Sequence, residues 1–239
     1  MDATHQSQSG LRTVLETVAL TVLIFGISLV AGVVFIAPLI ALGYTIESTP
    51  ILVGATAVGQ LSMFAVAYIY YRYRDISLSA ALPSVRELGY VAGGVVTAIG
   101  TAIVVSLILT ALALVPSSVI GETASTNPTF LLGLAALSIV VVAPVEEFVF
   151  RGVIQGRLRD RFGPVPGIAG ASLLFGSLHL ANYSGNPVAI VAGALLIAIV
   201  GSVFGILYEW TGNLMVPVLV HAIYNTILLG MSYVALSAV

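Results

Sequence analysis

The sequence predicts an all-α polytopic transmembrane helix bundle. Of the 239 residues, 59% are hydrophobic and only 8% are charged, whereas about 25% of the residues in an ordinary soluble domain are charged. Apolar stretches long enough to cross a bilayer, which takes roughly 20 helical residues, recur along the whole chain. Short breaks rich in Pro, Gly and Asn separate them. The whole chain is therefore expected to lie in the membrane, without a separate soluble domain.

Seven spans are predicted from these stretches, near residues 14–42, 50–71, 89–115, 130–150, 166–180, 187–208 and 214–235. The first apolar run is much longer than the roughly 7–15 residues of a signal-peptide core, so it is interpreted as a retained span. Residues 1–128 are expected to supply N-terminal transmembrane helices. Residues 129–239 contain the motifs that suggest chemistry, within the same integral membrane unit.

The arginines predict the orientation of the bundle. Those near span ends all fall on one side of the alternating loops: Arg12, Arg72, Arg74, Arg86, Arg157, Arg159 and Arg161. The predicted loops of the other side contain no Lys or Arg. Because cytoplasmic loops carry the excess of these residues, we expect a multi-pass protein of the cell membrane with its N-terminus in the cytoplasm.

The composition also excludes several classes of function. The net charge of −2 is spread thinly, without a basic patch, which argues against a nucleic-acid partner. The absence of cysteine excludes disulfides, thiolate metal sites and a Cys nucleophile. The expected partners are the lipid bilayer and a substrate that lies at the membrane, and the sequence leaves the oligomeric state open.

Three motifs place ionisable residues within the hydrophobic spans. They are Glu146-Glu147-x-x-x-Arg151 in span four, Phe175-x-x-x-His179 in span five and His221-x-x-x-Asn225 in span seven. A spacing of four puts both members of a pair on one helix face. At 1.5 Å per residue, Glu147, His179 and His221 are all expected about 14–20 Å below the cytoplasmic surface. Because an ionisable side chain at that depth is costly, its default interpretation is functional.

Such a set of side chains supports hydrolysis. A carboxylate or an imidazole can deprotonate water, while His and Asn donors stabilise an oxyanion in a dry site. Two His and one Glu also match the ligands of a catalytic zinc ion, which would then be Glu146, His179 and His221. The residues leave open whether the cofactor is zinc or none, and whether Glu146 or Glu147 is the base.

In order, spacing and placement, the three motifs resemble those of the CPBP family. These are membrane endopeptidases that include CAAX prenyl proteases, bacteriocin-processing enzymes and Rce1-type proteases. The resemblance covers about residues 130–229, and it implies that 129–239 form a CPBP-like catalytic helix core. It further implies an intramembrane endopeptidase, of the glutamate type or the metallo type, whose substrates are membrane-associated peptides, including prenylated CAAX tails. Some relatives have eight spans, which makes eight the alternative to the count of seven.

The resemblance also implies a role for each motif residue. Glu146 would activate the attacking water with help from His179, while His221 and Asn225 would stabilise the tetrahedral oxyanion.

The remaining motif residues would support the site. Arg151 would pair with a buried carboxylate such as Glu147, and Phe175 would pack beside the histidines.

Two other functions compete with this interpretation. A proton- or cation-coupled transporter could use Glu146, Glu147 and the histidines as an ion path, although the sequence lacks the internal repeat typical of transporters. A non-catalytic membrane scaffold would keep the helices alone. Outside the motifs, Glu16 and Gln60 are interpreted as isolated polar residues of spans one and two, and Glu209 as a charge at a helix end.

Overall fold

The computed structural model describes residues 3–238, with side chains from residue 10 onward. Met1, Asp2 and Val239, at the outer ends of the two predicted regions, lie outside the described residues. Eight helices follow one another in this part of the chain: α1 (Ala3–Ala41), α2 (Thr49–Tyr73), α3 (Val85–Ala111), α4 (Val119–Thr126), α5 (Thr129–Phe162), α6 (Pro164–Leu178), α7 (Pro187–Thr211) and α8 (Met215–Ser237). Two short strands, β1 (Ser117–Ser118) and β2 (Tyr183–Ser184), pair antiparallel.

Seven of these helices are long and apolar enough to span a membrane, which confirms the predicted multi-pass bundle and its span count. The eighth, α4, has only eight residues and lies in the connection between α3 and α5. Most span ends agree with the prediction to within a few residues. The main difference is α5, which continues to Phe162 although the prediction ended it near residue 150. The first part of this continuation, through Gln155, is buried against other helices, so the loss of hydrophobicity does not mark a helix end.

The connections between spans meet on two opposite sides of the bundle. On one side, the loop after α2 joins the loop before α8 through a bridge between Ser79 and Asn213 and through a 3.0 Å hydrogen bond from Asn213 Nδ2 to the carbonyl of Ala81. On the other side, β1 pairs with β2. The seven arginines near span ends belong to the first side, which is called the arginine-rich side below.

A tight turn at Gly163 makes α5 and α6 antiparallel neighbours. Its φ of +88° lies in the left-handed region that favours glycine. Pro164 then starts α6, where a proline costs no helical hydrogen bond. The backbones come close just after the turn, since a Cβ on Gly167 would lie 2.9 Å from the backbone nitrogen of Arg159.

The protein-packed core is centred on α5 and α7, whereas α1 mostly faces outward. Residues 148–155 of α5 are all buried. By contrast, α1 exposes a large share of its apolar side chains, as at Val22 and Val30. In a membrane protein these exposed apolar faces meet lipid, and buried polar residues must find partners inside the bundle. The polar groups within α5 are therefore the ones that need an explanation.

Candidate active site

The two adjacent glutamates lie in an irregular part of α5. Its backbone is π-helical over Ser138–Val142, α-helical over Ala143–Glu147 and π-helical again over Phe148–Gln155. Pro144 has no N–H to give to the preceding turn, and the N–H of Ala143 bonds five residues back to the carbonyl of Ser138. Wide turns of this kind are rare and frequently accompany functional sites. Here they flank both sides of the Glu146-Glu147 pair.

Glu147 is the second glutamate and is completely buried. Its Oε2 accepts a 3.0 Å hydrogen bond from Nε of Arg151, one turn further along α5, and both side chains are fully inaccessible. Its Oε1 lies 2.8 Å from Nδ1 of His221 on α8. One carboxylate therefore joins an arginine of its own helix to a histidine of another, which satisfies the need to pair a buried charge.

Glu146 contacts two further helices. Nε2 of Gln60, in α2, donates a 2.8 Å hydrogen bond to Oε1 of Glu146. Its Oε2 lies 3.8 Å from Nε2 of His221. The side chain of Glu146 is 10% exposed, against none of Glu147. Glu146 is thus the carboxylate at the accessible end of the group, while Glu147 lies behind it.

Aromatic rings enclose His221 and Arg151. The ring of Phe204, in α7, stacks on the imidazole of His221 at 4.9 Å, and that of Phe175, in α6, meets it edge-on at 5.9 Å. The Arg151 guanidinium lies 5.2 Å from the Phe175 ring and 6.0 Å from the Phe204 ring, in the range of cation–π attraction. Gly201 gives these groups space, because a Cβ there would lie 2.9 Å from Phe175.

His179 and Asn225 lie at the margin of this cluster. Nδ1 of His179 donates to the carbonyl of Phe175 at 2.9 Å, and its ring lies 4.7 Å from the Phe175 ring. Within the described residues, no hydrogen bond or ion pair joins His179 to Glu146, and the Phe175 ring contacts both imidazoles. Asn225 Nδ2 donates to Oγ of Ser138 at 2.9 Å. Asn225 and His221 therefore fix one face of α8 to α5 at two points.

The hydrogen-bond pattern assigns the protons of His221. Glu147 is paired with Arg151 and therefore ionised, and an ionised carboxylate only accepts hydrogen bonds. Nδ1 of His221 must then carry a hydrogen, and an imidazole with only that hydrogen has its lone pair on Nε2. In that form, Nε2 and Oε2 of Glu146 are two acceptors separated by 3.8 Å. A single water molecule can donate one O–H to each of them, and its own lone pairs then point away.

The predicted zinc ligands do not come together. No group of three or more His, Cys, Asp or Glu side chains able to hold a metal ion occurs in the part of the chain that the structure describes. Of the predicted ligands, Glu146 and His221 approach each other, whereas His179 is turned toward the carbonyl of Phe175. The donor set therefore does not fit a zinc ion.

Two polar contacts in the structure have no counterpart in the sequence motifs. Gln60, interpreted as an isolated polar residue, is the hydrogen-bond donor to Glu146. Glu16 is not isolated either, because it pairs with Arg74 and Arg157 and accepts a 2.8 Å hydrogen bond from Tyr70. Arg74 lies just beyond α2, and its hydrogen bond to Glu16 raises the pKa of the Arg74 guanidinium above the usual value. A lone polar residue in a hydrophobic span was the available signal, but it does not reveal the partner.

Comparison with known proteins finds a family match over the same part of the chain. Residues 127–227 match the family model described as type II CAAX prenyl endopeptidase Rce1-like. Because of this similarity, residues 127–227 are called the Rce1-like domain below. The match confirms the predicted resemblance, and the Rce1-like domain contains all three motifs. Gln60 lies outside it, on α2.

One curated relative and no solved structure accompany this match. The uncharacterized protein YpbD of Bacillus subtilis (strain 168) is 34% identical over 88 residues, which are 37% of this chain and 40% of that protein. The matched segment thus spans about two fifths of the relative's length. No solved structure matches the chain.

Proposed function

We propose that this protein is an intramembrane endopeptidase in which Glu146 and His221 share the water that attacks the peptide carbonyl. The observation that carries the proposal is the 3.8 Å gap between Glu146 Oε2 and His221 Nε2, together with the groups that hold each side of it. Gln60 fixes the other oxygen of Glu146, and Glu147 fixes the other nitrogen of His221. Both acceptors are thereby preorganised for one small polar ligand.

In this mechanism Glu146 takes a proton from the water as its oxygen bonds to the substrate carbonyl carbon. The C–N bond then breaks, and Glu146 returns the proton to the leaving amine. His221 orients the water through Nε2. Asn225 has a second N–H besides the one that it gives to Ser138, and we assign that donor to the oxyanion. In this proposal His221, and not His179, is the imidazole that acts with the base, because its Nε2 lies 3.8 Å from Glu146 Oε2.

Glu147 and Arg151 act through His221. A neutral imidazole could carry its proton on either nitrogen, and the ionised Glu147 selects the form with Nδ1–H. Arg151 in turn keeps Glu147 ionised inside the bundle by pairing with it at 3.0 Å. No step in this scheme passes through a metal ion.

The substrate class follows from where the site lies and from the family. Nearly all of the site is buried between α2, α5, α6, α7 and α8, so an extended peptide must enter the bundle to reach Glu146. The family description names CAAX prenyl endopeptidases, and a prenylated C-terminal tail is therefore the first substrate to test. The arginine-rich side supports a cytoplasmic N-terminus in the cell membrane.

The test is cleavage of prenylated and unprenylated membrane-tethered peptides by the purified protein in lipid vesicles. The variants are Glu146→Gln and His221→Ala, and the matched control is Glu122→Gln, which removes a carboxylate on the opposite side of the bundle from the arginines. We expect cleavage by the wild type and the control, loss in both site variants, and insensitivity to a zinc chelator. Cleavage at the wild-type rate by Glu146→Gln would refute the proposal.

A further inference from the structure

Three buried side chains in the seam between α5, α6 and α7 carry polar groups that have no hydrogen-bond partner among the described residues. They are the two Nη groups of Arg151, Oε1 of Gln155 and Oγ of Ser172. Arg151 and Gln155 are fully inaccessible, and Ser172 is 3% exposed. Buried polar groups are nearly always satisfied by protein or by internal water. Their chemistry is complementary, since Arg151 only donates, the Gln155 oxygen only accepts and Ser172 does both.

Two glycines of α7, one helical turn apart, lie against the first two of these side chains. A Cβ on Gly201 would lie 3.1 Å from Nη2 of Arg151, and a Cβ on Gly205 would lie 2.7 Å from Oε1 of Gln155. Residues four apart in a helix are separated by about 6 Å along its axis. Two hydrogen bonds of about 2.8 Å placed end to end span nearly the same distance. A spacing of about one helical turn along α7 can accommodate one bridging water molecule.

Ser172 reaches the same level from α6. Phe175 lies against Gly201, and Ile168 lies against Gly205, where the Cβ contacts would be 2.9 and 3.1 Å. Ser172 is one helical turn from each of them, so its hydroxyl is placed between the two glycine levels. Helices α5, α6 and α7 thus each bring one side of a common polar space.

We infer that this seam holds one internal water bound to Arg151, Gln155 and Ser172, and that this water positions Arg151. Three polar partners are the usual complement of a buried water. The water would extend a polar line from Glu147 through Arg151 to Gln155, whose amide donates a 3.0 Å hydrogen bond to Glu209. Glu209 lies 3.9 Å from Arg159 on the arginine-rich side. The importance of this water for cleavage rests on the proposed function, but the presence of the water does not.

The hydration of the seam can be tested without any activity. Radiolytic hydroxyl labelling in ¹⁸O water, read by mass spectrometry, detects buried side chains that lie beside an ordered water. The probe is Phe175, which is 2% exposed, and the internal reference is Phe130, which is 7% exposed and lies near the other end of α5. We expect Phe175 to be labelled faster than Phe130.

Two variants of Ser172 test whether the internal water causes the labelling of Phe175. Ser172→Ala leaves space for the water and should retain the labelling of Phe175, whereas Ser172→Val puts a methyl group in its place and should reduce it. Ser172→Val should also lower the Tm by about 2–4 °C, because Arg151 and Gln155 lose their common partner. The control is Ser177→Val, at an exposed position of the same helix, where labelling should not change.

A seam without water would give different results for Ser172→Val. In that case Ser172→Val adds apolar packing, raises the Tm and leaves the labelling of Phe175 unchanged, and the inference is refuted. Peptide cleavage is measured on the same samples. Labelling that is lost in Ser172→Val supports the water site even where the wild type cleaves no peptide, an outcome that counts against the proposed function alone.

Discussion

Arg151→Met should destabilise the protein more than an ordinary core substitution. The change keeps an apolar stem in the space between Phe175 and Phe204 but removes the cation that lies 3.0 Å from the buried Glu147. Removing one member of a buried ion pair leaves an uncompensated charge, which typically costs about 3–5 kcal/mol. We expect the free energy of unfolding to fall by that amount.

The assay is equilibrium unfolding in mixed micelles, followed by the fluorescence of Trp210, the one tryptophan of the chain. A double-mutant cycle with Glu147→Gln isolates the pair. Once Glu147 is neutral, Arg151→Met should cost much less than it does alone. Asp160→Asn, which breaks an exposed contact with Arg159, is the control and should change the free energy by about 0–1 kcal/mol. If the two single effects in the cycle simply add, the buried pair is not coupled and the reasoning fails.

Three further predictions concern packing, the orientation of Glu146 and the cofactor. Gly201→Ala should lower the free energy of unfolding by about 1–3 kcal/mol, since its Cβ would collide with Phe175; the control Gly100→Ala, which meets nothing within 4 Å, should raise it by up to about 1 kcal/mol. Gln60→Leu should reduce kcat about tenfold with little change in KM, because Glu146 loses its orienting donor; a change in KM alone would contradict this role. Peptide cleavage should survive dialysis against a zinc chelator, and loss of activity that added zinc restores would overturn the metal-free scheme.

The fold was largely predictable because membrane insertion imposes a local rule. Each span needs its own run of apolar residues, so hydropathy alone locates seven helices. The rule fails at the end of α5, where Arg151 and Gln155 interrupt the apolar run. The glycines of α7 that provide space for them lie about 50 residues further along the chain. Local composition does not reveal a contact between residues so far apart in sequence.

The residues of the site were predictable from the sequence, but most contacts between them were not. Spacings of four placed Glu147 with Arg151, and the 3.0 Å contact between them follows from helix geometry. Which imidazole lies beside Glu146 depends on the packing of α5, α6 and α8, and sequence motifs do not specify that packing. Gln60 illustrates the same limit, because it lies on α2, outside the Rce1-like domain. The wide turns around Pro144 also have no clear local signature apart from the proline.

The most direct test of a shared water is a kinetic double-mutant cycle on Glu146 and His221. Cleavage rates are measured at saturating enzyme for the wild type, Glu146→Gln, His221→Ala and the double variant. If both groups hold the same water, either single change disables it, and the double variant should be no slower than the worse single variant. Losses that multiply in the double variant would show that the two residues act in separate steps, which contradicts the account.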